Sequence, residues 1–232
     1  MESAPLDEKI ADPRDQKKFV FHATRFRKIF LWGIRCIIWF LMKREYQGAD
    51  NIPAAGPVVL ASNHMTNFDV FPMQLGIPRP LFFMAKSELH EPFLMDIMLR
   101  NLGAFPVYRG QGDEWALRHA EKVLEHGQVL AIFPEGARNK GRGLRSAKTG
   151  AARFALQANC PIIPVAVEGT HQVLKTFPRR AKVKVTIGEP IYPKPGESAL
   201  ALTDRIMFTI AALLPRELRG VYAERAAGFE KE

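Results

Sequence analysis

Short runs of continuously apolar, often β-branched residues recur along the chain from about residue 58 onward. Such runs are typical of strands that are buried on both faces of a sheet. The pattern predicts six strands, at residues 58–61, 81–84, 105–107, 129–133, 162–167 and 183–187.

Segments with helical periodicity lie between and after these runs. Four helices are predicted, at residues 87–100, 113–126, 147–158 and 199–214. Ser87, Asp113 and Ser146 stand near the start of the first three as candidate N-caps. The alternation of strands and helices predicts an α/β domain of three layers around a largely parallel, mixed central sheet.

The most apolar part of the chain is an N-terminal stretch, residues 16–44. On a helix of about 100° per residue, six cations of this stretch fall on one side: Lys17, Lys18, Arg25, Lys28, Arg35 and Lys43. Six apolar residues fall on the opposite side: Phe19, Phe26, Phe30, Ile34, Ile37 and Leu41. Trp32 and Trp39 lie close to the charged side, and indole rings favour a headgroup interface.

This stretch is too short to span a bilayer. Its longest apolar run, residues 29–42, would rise ~21 Å as a helix against a hydrocarbon core of ~30 Å, and Arg35 interrupts it. No small-x-small cleavage site follows Met42, so we expect no signal peptide. Gly33 leaves open whether the stretch forms one helix or two.

The positive charge of the chain is concentrated in the same stretch. The formal net charge is +9, from 33 basic and 24 acidic residues, and residues 16–44 contain eight cations and no acid. A segment that is both cationic and apolar favours a membrane surface. Nucleic-acid binders spread their charge over a polar folded face, so we expect no nucleic-acid partner. The alternative is that the apolar side docks on the rest of the domain.

The length and composition predict one packed domain with additions at its ends. The 232 residues are 47% hydrophobic and 25% charged, which excludes disordered and collagen-like classes. The two cysteines cannot form a disulfide framework, which favours a reducing compartment. We expect residues 1–44 to be a membrane-associating segment, residues 45–215 the α/β domain and residues 216–232 a charged peripheral tail.

The loop after the first predicted strand contains a histidine and a carboxylate five residues apart, His64 and Asp69. If the chain turns between them, Asp69 can accept a hydrogen bond from one imidazole nitrogen and leave the other as a general base. A Gly-x-Ser-x-Gly nucleophile turn is absent, so the pattern favours direct attack by a substrate hydroxyl. The alternative is a loop histidine beside an aspartate that caps a helix.

A basic loop follows the predicted strand at residues 129–133. Six cations and no acid lie between residues 136 and 153: Arg138, Lys140, Arg142, Arg145, Lys148 and Arg153. A basic loop with glycine that runs into a helix predicts an anion site, most naturally for phosphate, and the alternative is solubility alone. Arg109, beside Gly110, is either a second anion contact or a solvated surface charge. The other histidines lack metal-ligand spacing, so we expect no metal site.

Four ordered motifs carry a resemblance to a known family. They are Asn63-His64-x4-Asp69, Gly103-x-Phe105-Pro106-Val107-Tyr108-Arg109, Phe133-Pro134-Glu135-Gly136-x-Arg138 and Pro161-Ile162-Ile163-Pro164-Val165. In this order and spacing they resemble the four blocks of the glycerolipid acyltransferases, most closely the 1-acyl-glycerol-3-phosphate (lysophosphatidate) acyltransferases. The resemblance covers roughly residues 45–190, and Lys148-Thr149-Gly150 resembles the Lys-x-Gly before the family's next helix.

The resemblance implies roles for these residues and partners for the protein. His64 would be the general base and Asp69 its orienting partner. The implied substrate-binding residues are Asn63, Arg109, Glu135, Gly136, Arg138 and Lys148, with Arg109 and Arg138 on phosphate and Glu135 and Gly136 at the acceptor glycerol. The resemblance further implies acyl-CoA or acyl-carrier protein as donor, no metal or other cofactor, and peripheral attachment to the cytoplasmic face of the cell membrane.

Two positions depart from the family pattern. Tyr108 stands where the residue before the arginine of the second motif is often acidic, and Ala137 and Asn139 flank Arg138 where the family commonly has Thr and Ser. Both departures lie where acceptor headgroups bind, so they concern the acceptor rather than the chemistry. Another lysophospholipid, glycerol-3-phosphate or a glycolipid is the alternative acceptor, and a non-catalytic membrane-binding protein is the alternative from another class.

Overall fold

The computed structural model describes residues 12–17, 19, 21, 24–108 and 112–224. Within this part of the chain, seven strands form one sheet: β1 (Met42–Gln47), β2 (Val58–Ser62), β3 (Leu81–Lys86), β4 (Ala104–Val107), β5 (Val129–Ile132), β6 (Ile162–Glu168) and β7 (Ala181–Ile187). The order is β1-β7-β6-β2-β5-β3-β4, and neighbours are parallel except for β6 and β7. This confirms the predicted α/β class with a largely parallel, mixed sheet.

Seven α-helices accompany the sheet in the described residues: α1 (Arg25–Leu41), α2 (Val70–Gly76), α3 (Phe93–Asn101), α4 (Glu114–Glu125), α5 (Gly150–Ala158), α6 (Val173–Thr176) and α7 (Ala199–Leu213). Asp113 caps α4 as predicted, since its carboxylate accepts a hydrogen bond from an N–H of the first turn at 3.1 Å. The helix expected at residues 87–100 is shorter because Pro92, which lacks an N–H, separates a 3₁₀ turn from α3. Ser146 does not cap α5, which begins after Thr149.

Helices cover both faces of the sheet. The largest buried cluster joins α4, α5 and α7 to one face, and a second cluster joins α2 to the other. β2 is buried at every residue and β6 at every residue but the last. Burial on both faces is the reason that these strands read as continuous apolar runs in the sequence.

The N-terminal stretch does not form one helix from residue 16 to residue 44. α1 runs unbroken through Gly33 and ends at Leu41, and the next six residues form β1, parallel to β7. Five of the six residues of β1 are polar and only Met42 is buried, so the strand lacks the apolar run by which the other strands are predicted. The boundary expected at residue 44 therefore falls inside a strand of the sheet.

The chain before α1 also packs on the domain. Arg14 is only 6% exposed and forms ion pairs with Asp12 and with Asp113, each at 2.6 Å. Burial alone would raise the pKa of the Asp113 carboxyl, but Arg14 and the N–H groups of Tyr108 and Ala116 together outweigh it and lower that pKa. The segment around Arg14 is thus part of the folded domain rather than of a separate unit at residues 1–44.

The segment after α7 is not wholly peripheral, in contrast to the expected tail. Backbone hydrogen bonds join Leu144 to both Leu218 and Val221, at 3.0 and 3.1 Å. The Tyr222 hydroxyl accepts a hydrogen bond from the Ala147 N–H at 3.1 Å. These bonds fasten the described part of the tail to the basic loop between β5 and α5, and the rest of the tail lies outside the described residues.

Candidate active site

Three mutually parallel strands, β2, β5 and β6, end at the same edge of the sheet. The loop after β2 contains His64 and Asp69, the loop after β5 contains Glu135 and Arg138, and the turn after β6 contains Thr170. In open α/β sheets, the loops at the carboxyl ends of the strands commonly form the active site. The topology thus brings together motifs that are far apart in sequence.

His64 and Asp69 form a hydrogen-bonded pair, as their spacing predicts. His64 Nδ1 lies 2.8 Å from Asp69 Oδ2, because the 3₁₀ turn Asn67–Asp69 bends the chain back. The same carboxylate oxygen accepts hydrogen bonds from the N–H groups of Met65 and Thr66, at 2.7 and 2.9 Å. Asp69 also completes a capping box in which Thr66 is the N-cap, but its side chain does not cap α2, so the structure favours the pairing with His64 over the capping alternative.

The second oxygen of Asp69 is bound by a residue that the sequence patterns do not reveal. The Thr170 hydroxyl donates a hydrogen bond to Asp69 Oδ1. Gly169 precedes it with φ = 82°, and a side chain there would meet the Lys182 carbonyl oxygen at 2.0 Å, so the turn requires glycine. The only signal in the sequence is a hydroxyl residue just beyond a buried strand.

The imidazole ring of His64 is held in one orientation. Since Nδ1–H donates to Asp69, Nε2 is the nitrogen left without a proton, and no described residue forms a hydrogen bond to it. The ring stacks on Phe133 with centroids 4.0 Å apart and an interplanar angle of 16°. The His64 side chain is 15% exposed. A neutral, oriented imidazole with one accessible nitrogen can act as a general base.

Glu135 holds the loops together from within. Its carboxylate accepts hydrogen bonds from the His64 N–H at 2.8 Å, the Arg145 N–H at 3.0 Å and the Asn139 side chain at 3.2 Å. Burial raises the pKa of the Glu135 carboxyl, while these donors oppose the rise. The role expected for Glu135 at the acceptor glycerol stays a prediction. In this structure its oxygens are occupied by protein donors.

Asn63 occupies a different place from the substrate contact that was predicted. The side chain is fully buried, its Nδ2 donates to the Val167 carbonyl at 2.9 Å, and its Oδ1 accepts from the Val167 N–H at 2.7 Å. Both ends of the amide are therefore used to join β2 to β6. Asn63 positions His64 next to it rather than reaching a substrate.

The basic loop contacts the loop that contains His64 and Asp69. Arg138 donates a hydrogen bond to the Asn67 side chain at 3.1 Å. The Lys148 side chain lies over Gly136, where a Cβ would stand 3.4 Å from Lys148 Cε. None of the six cations of this loop pairs with a carboxylate within 4.0 Å among the described residues. Unpaired cations beside an accessible base suit an anionic substrate.

Two further predictions concern Arg109 and metal ions. Arg109 lies outside the described residues, and β4, which precedes it, ends at the same edge of the sheet as β2. In the part of the chain that the structure describes, no cluster of three or more His, Cys, Asp or Glu side chains is arranged to hold a metal ion.

The sequence model of a family described as Acyltransferase matches residues 43–168, more than half of the chain. The chain belongs to the acyltransferase family. The matched region contains the His64–Asp69 pair and the loop with Glu135 and Arg138. The site described above is therefore the candidate active site of an acyltransferase enzyme.

Named relatives of this acyltransferase act in lipid metabolism. A 1-acyl-sn-glycerol-3-phosphate acyltransferase of Bacillus subtilis is 31% identical over 144 residues, which are 62% of this chain and 71% of the relative. The human 1-acyl-sn-glycerol-3-phosphate acyltransferase alpha is 27% identical over 202 residues, or 82% of this chain and 69% of the relative. The match to a chloroplastic relative from Brassica napus covers 58% of that protein.

A solved structure shares the fold of this acyltransferase. The crystal structure of the 1-acyl-sn-glycerophosphate acyltransferase from Thermotoga maritima superposes with a TM-score of 0.66 at 26% identity. The match covers 79% of this chain and 76% of that one.

The contact between Thr170 and Asp69 generates a first prediction. Thr170→Val removes one donor from a buried carboxylate, a hydrogen bond worth about 1.5–3 kcal/mol. We expect kcat for acyl transfer to fall roughly 10-fold or more, with little change in KM, because the base is misoriented while substrate contacts remain. Steady-state kinetics checks this.

Thr170→Ser, which keeps the hydroxyl, should restore most of the rate. Thr176→Val on α6 is the matched control, because its hydroxyl donates only to the Gln172 carbonyl, just before its own helix. Equal rates in Thr170→Ser and Thr170→Val, or a loss seen in KM alone, would contradict the positioning role.

Proposed function

We propose that the protein transfers an acyl group from acyl-CoA or acyl-carrier protein to the free hydroxyl of 1-acyl-glycerol-3-phosphate, forming phosphatidic acid in phospholipid biosynthesis. One observation carries the proposal: the His64–Asp69 pair lies beside exposed, unpaired cations at one edge of the sheet. This arrangement supplies a base for a hydroxyl and a binding site for a phosphate. The names of the bacterial and human relatives support the same acceptor.

His64 performs the proton transfers in this reaction. Its Nε2 removes the proton of the acceptor hydroxyl while the hydroxyl oxygen attacks the thioester carbonyl, and Asp69 stabilises the imidazolium that forms. The tetrahedral intermediate then collapses, the C–S bond breaks, and His64 returns the proton to the leaving thiolate. A positioned general base contributes roughly 10²–10⁴ in rate, and holding the two substrates in place contributes the rest. The residues assigned here use no cofactor besides the acyl donor.

The basic loop binds the phosphate of the acceptor in this proposal. A phosphomonoester carries a charge of about −1.5 to −2 near neutral pH, which suits several unpaired cations. Arg138, held by Asn67, and Lys148, held over Gly136, are the contacts that the geometry favours. Arg109 is a further contact by family resemblance.

The proposed activity is tested by assaying a panel of acceptors with one acyl donor. We expect lysophosphatidate to be acylated fastest, ahead of other lysophospholipids, glycerol-3-phosphate and glycolipid acceptors. His64→Ala should lose nearly all activity, since the base is gone. Asp69→Asn should keep a small fraction of the activity, because it disturbs the orientation of the ring without removing the base.

Circular dichroism of both variants controls for misfolding. Near-normal turnover by His64→Ala would contradict the mechanism. If another acceptor is acylated faster, that acceptor becomes the proposed substrate in place of lysophosphatidate, and the proposed mechanism is unaffected.

Phosphate recognition generates a separate prediction. Arg138→Ala should raise KM for lysophosphatidate roughly 10- to 150-fold, because a charge-assisted contact is worth about 1.5–3 kcal/mol. KM for an acceptor without a phosphomonoester should change far less. Arg118→Ala, which removes an exposed cation on α4, is the matched control. An equal rise in KM for both acceptors would indicate that Arg138 stabilises the fold or contacts the acyl donor instead.

Membrane attachment is the remaining part of the proposal. α1 docks on the domain through Arg27 and Ile38, which are 4% and 2% exposed. Its other flank exposes large apolar side chains: Phe26, Ile29, Trp32, Ile37, Trp39 and Phe40. The helix therefore combines the two alternatives, since one side docks and the other stays open. Among the described residues, no helix has the length and apolar character needed to cross a membrane.

We propose that the open flank of α1 lies in the headgroup region of the cytoplasmic leaflet, where the lipid acceptor is found. Burying one large apolar side chain contributes about 1.5–3 kcal/mol. The triple variant Ile29→Ser, Trp32→Ser, Phe40→Ser should thus bind anionic vesicles at least ~100-fold more weakly in a sedimentation assay. Substitution is preferable to deletion of residues 1–44, which would also remove Arg14 and half of β1.

The triple variant should keep its activity on a short-chain, water-soluble acceptor and lose activity on a vesicle-embedded one. Leu117→Ser, an exposed apolar position on α4, is the matched control. Unchanged sedimentation of the triple variant would show that this flank is not the anchor.

A further inference from the structure

A cavity of about 150 Å³ lies beneath the first turns of α1. Its walls come from α1, β3, β4, α3, α4 and the chain before α1: Phe19, Thr24, Arg27, Phe82, Arg100, Asn101, Gly103, Ala104, Phe105 and His119. β3 and β4 begin at this cavity, whereas His64 follows the end of β2, which runs parallel to them within the same sheet. The cavity is therefore at the opposite edge of the sheet from the candidate active site.

Arg27 lies in the wall of this cavity and has few partners for its charge. It is 4% exposed; its Nη2 donates to the Leu81 carbonyl at 3.0 Å, and its guanidinium lies 5.0 Å from the centroid of the Phe82 ring. Its Nε is buried without a hydrogen-bond partner among the described residues. Burial lowers the pKa of Arg27 to about 10, and the group still carries its charge at neutral pH.

The charges around the cavity do not balance. Arg100 also lines it, and none of the described lining residues is an Asp or a Glu. Arg100 pairs with the Asp96 carboxylate at 3.1 Å, and that carboxylate is shared with His90 and Lys17 at 2.8 and 3.2 Å. Burial lowers the pKa of His119 to about 4, so that ring is neutral. Since a buried charge is costly unless it is paired, the cavity favours an anion.

The size of the cavity limits what this anion can be. At ~30 Å³ per water, the volume corresponds to about five water molecules. A tetrahedral oxyanion fits this space, whereas a long acyl chain does not. Gly103 widens the cavity at Arg27, because a Cβ there would stand 2.8 Å from Arg27 Nη2.

We propose that this cavity binds a phosphate group through Arg27 and Arg100, at a site separate from the candidate active site. The phosphate belongs either to a small soluble molecule or to the headgroup of a phospholipid. Because Arg27 is on the docked side of α1, the bound anion would hold the start of that helix against the sheet. The site thus links anion binding to the stability of the helix that we propose lies on the membrane.

Thermal unfolding of the full chain in inorganic phosphate, at constant ionic strength, tests the proposal. A phosphate concentration of one hundred times Kd should raise Tm by roughly 5–10 °C. Arg27→Gln should remove the part of this rise that comes from the cavity and, without phosphate, be at least as stable as the parent, since an unpaired buried charge is gone. Arg100→Gln should lose most of the rise, which keeps the test decisive if Arg27→Gln fails to fold.

Two controls separate this site from the others. Arg25→Gln removes an exposed cation on the same turn of α1 and should keep the full rise. Arg138→Ala should keep the part of the rise that Arg27→Gln removes, so the result does not depend on the phosphate site of the proposed function. A full rise in Arg27→Gln, no rise in the parent, or an equal rise with sodium chloride alone would overturn the proposal.

A second arm identifies the source of the phosphate. Glycerol-3-phosphate and dioctanoyl phosphatidic acid replace inorganic phosphate, and only the part of the rise that Arg27→Gln removes is counted. A response to the soluble phosphomonoester alone supports a small soluble ligand. A response to both supports a lipid headgroup, and a response to neither overturns the proposal.

Discussion

The carboxylate of Asp69 accepts hydrogen bonds from the His64 ring, from two backbone N–H groups and from the Thr170 hydroxyl. A fully buried, ionised carboxylate is tolerated only where protein donors replace the water that it has lost. Those donors come from the loop after β2 and from the turn after β6. The hydrogen bonds to this one carboxylate therefore fix the two segments relative to each other. The orientation of His64 follows, because one ring nitrogen is committed to the carboxylate and the other is left for the base function that we propose.

Two other motif residues act in the same internal way. Glu135 collects N–H groups from His64 and from the basic loop, and Asn63 binds both backbone groups of Val167. Replacing either would leave buried donors or acceptors unpaired, which costs more than the net worth of an ordinary hydrogen bond. The groups that remain open to a substrate are the imidazole of His64 and the cations around it. The motifs thus contain both the reacting groups and the scaffold that aims them.

Sequence patterns predict most of the central sheet and the core of the site, because β2, β5 and β6 are buried runs and the spacing of His64 and Asp69 is local. β1 is not predicted, since it is an edge strand in which five of six residues are polar and only Met42 is buried. Thr170 meets Asp69 across 101 positions, through a strand order that no local pattern encodes. Arg27 likewise belongs to a basic stretch, in which only its helical position, away from the six cations of the charged side, sets it apart.

The hydrogen bonds between Leu144 and the segment after α7 bear on how the site is completed during synthesis. A ribosome makes the chain from its amino end, so the loop with Arg138 emerges well before Leu218 and Tyr222. Until those residues have emerged, the Leu144 N–H and carbonyl and the Ala147 N–H lack the partners seen here. The loop with Arg138 can therefore form all of these hydrogen bonds only after the ribosome has translated the segment that follows α7.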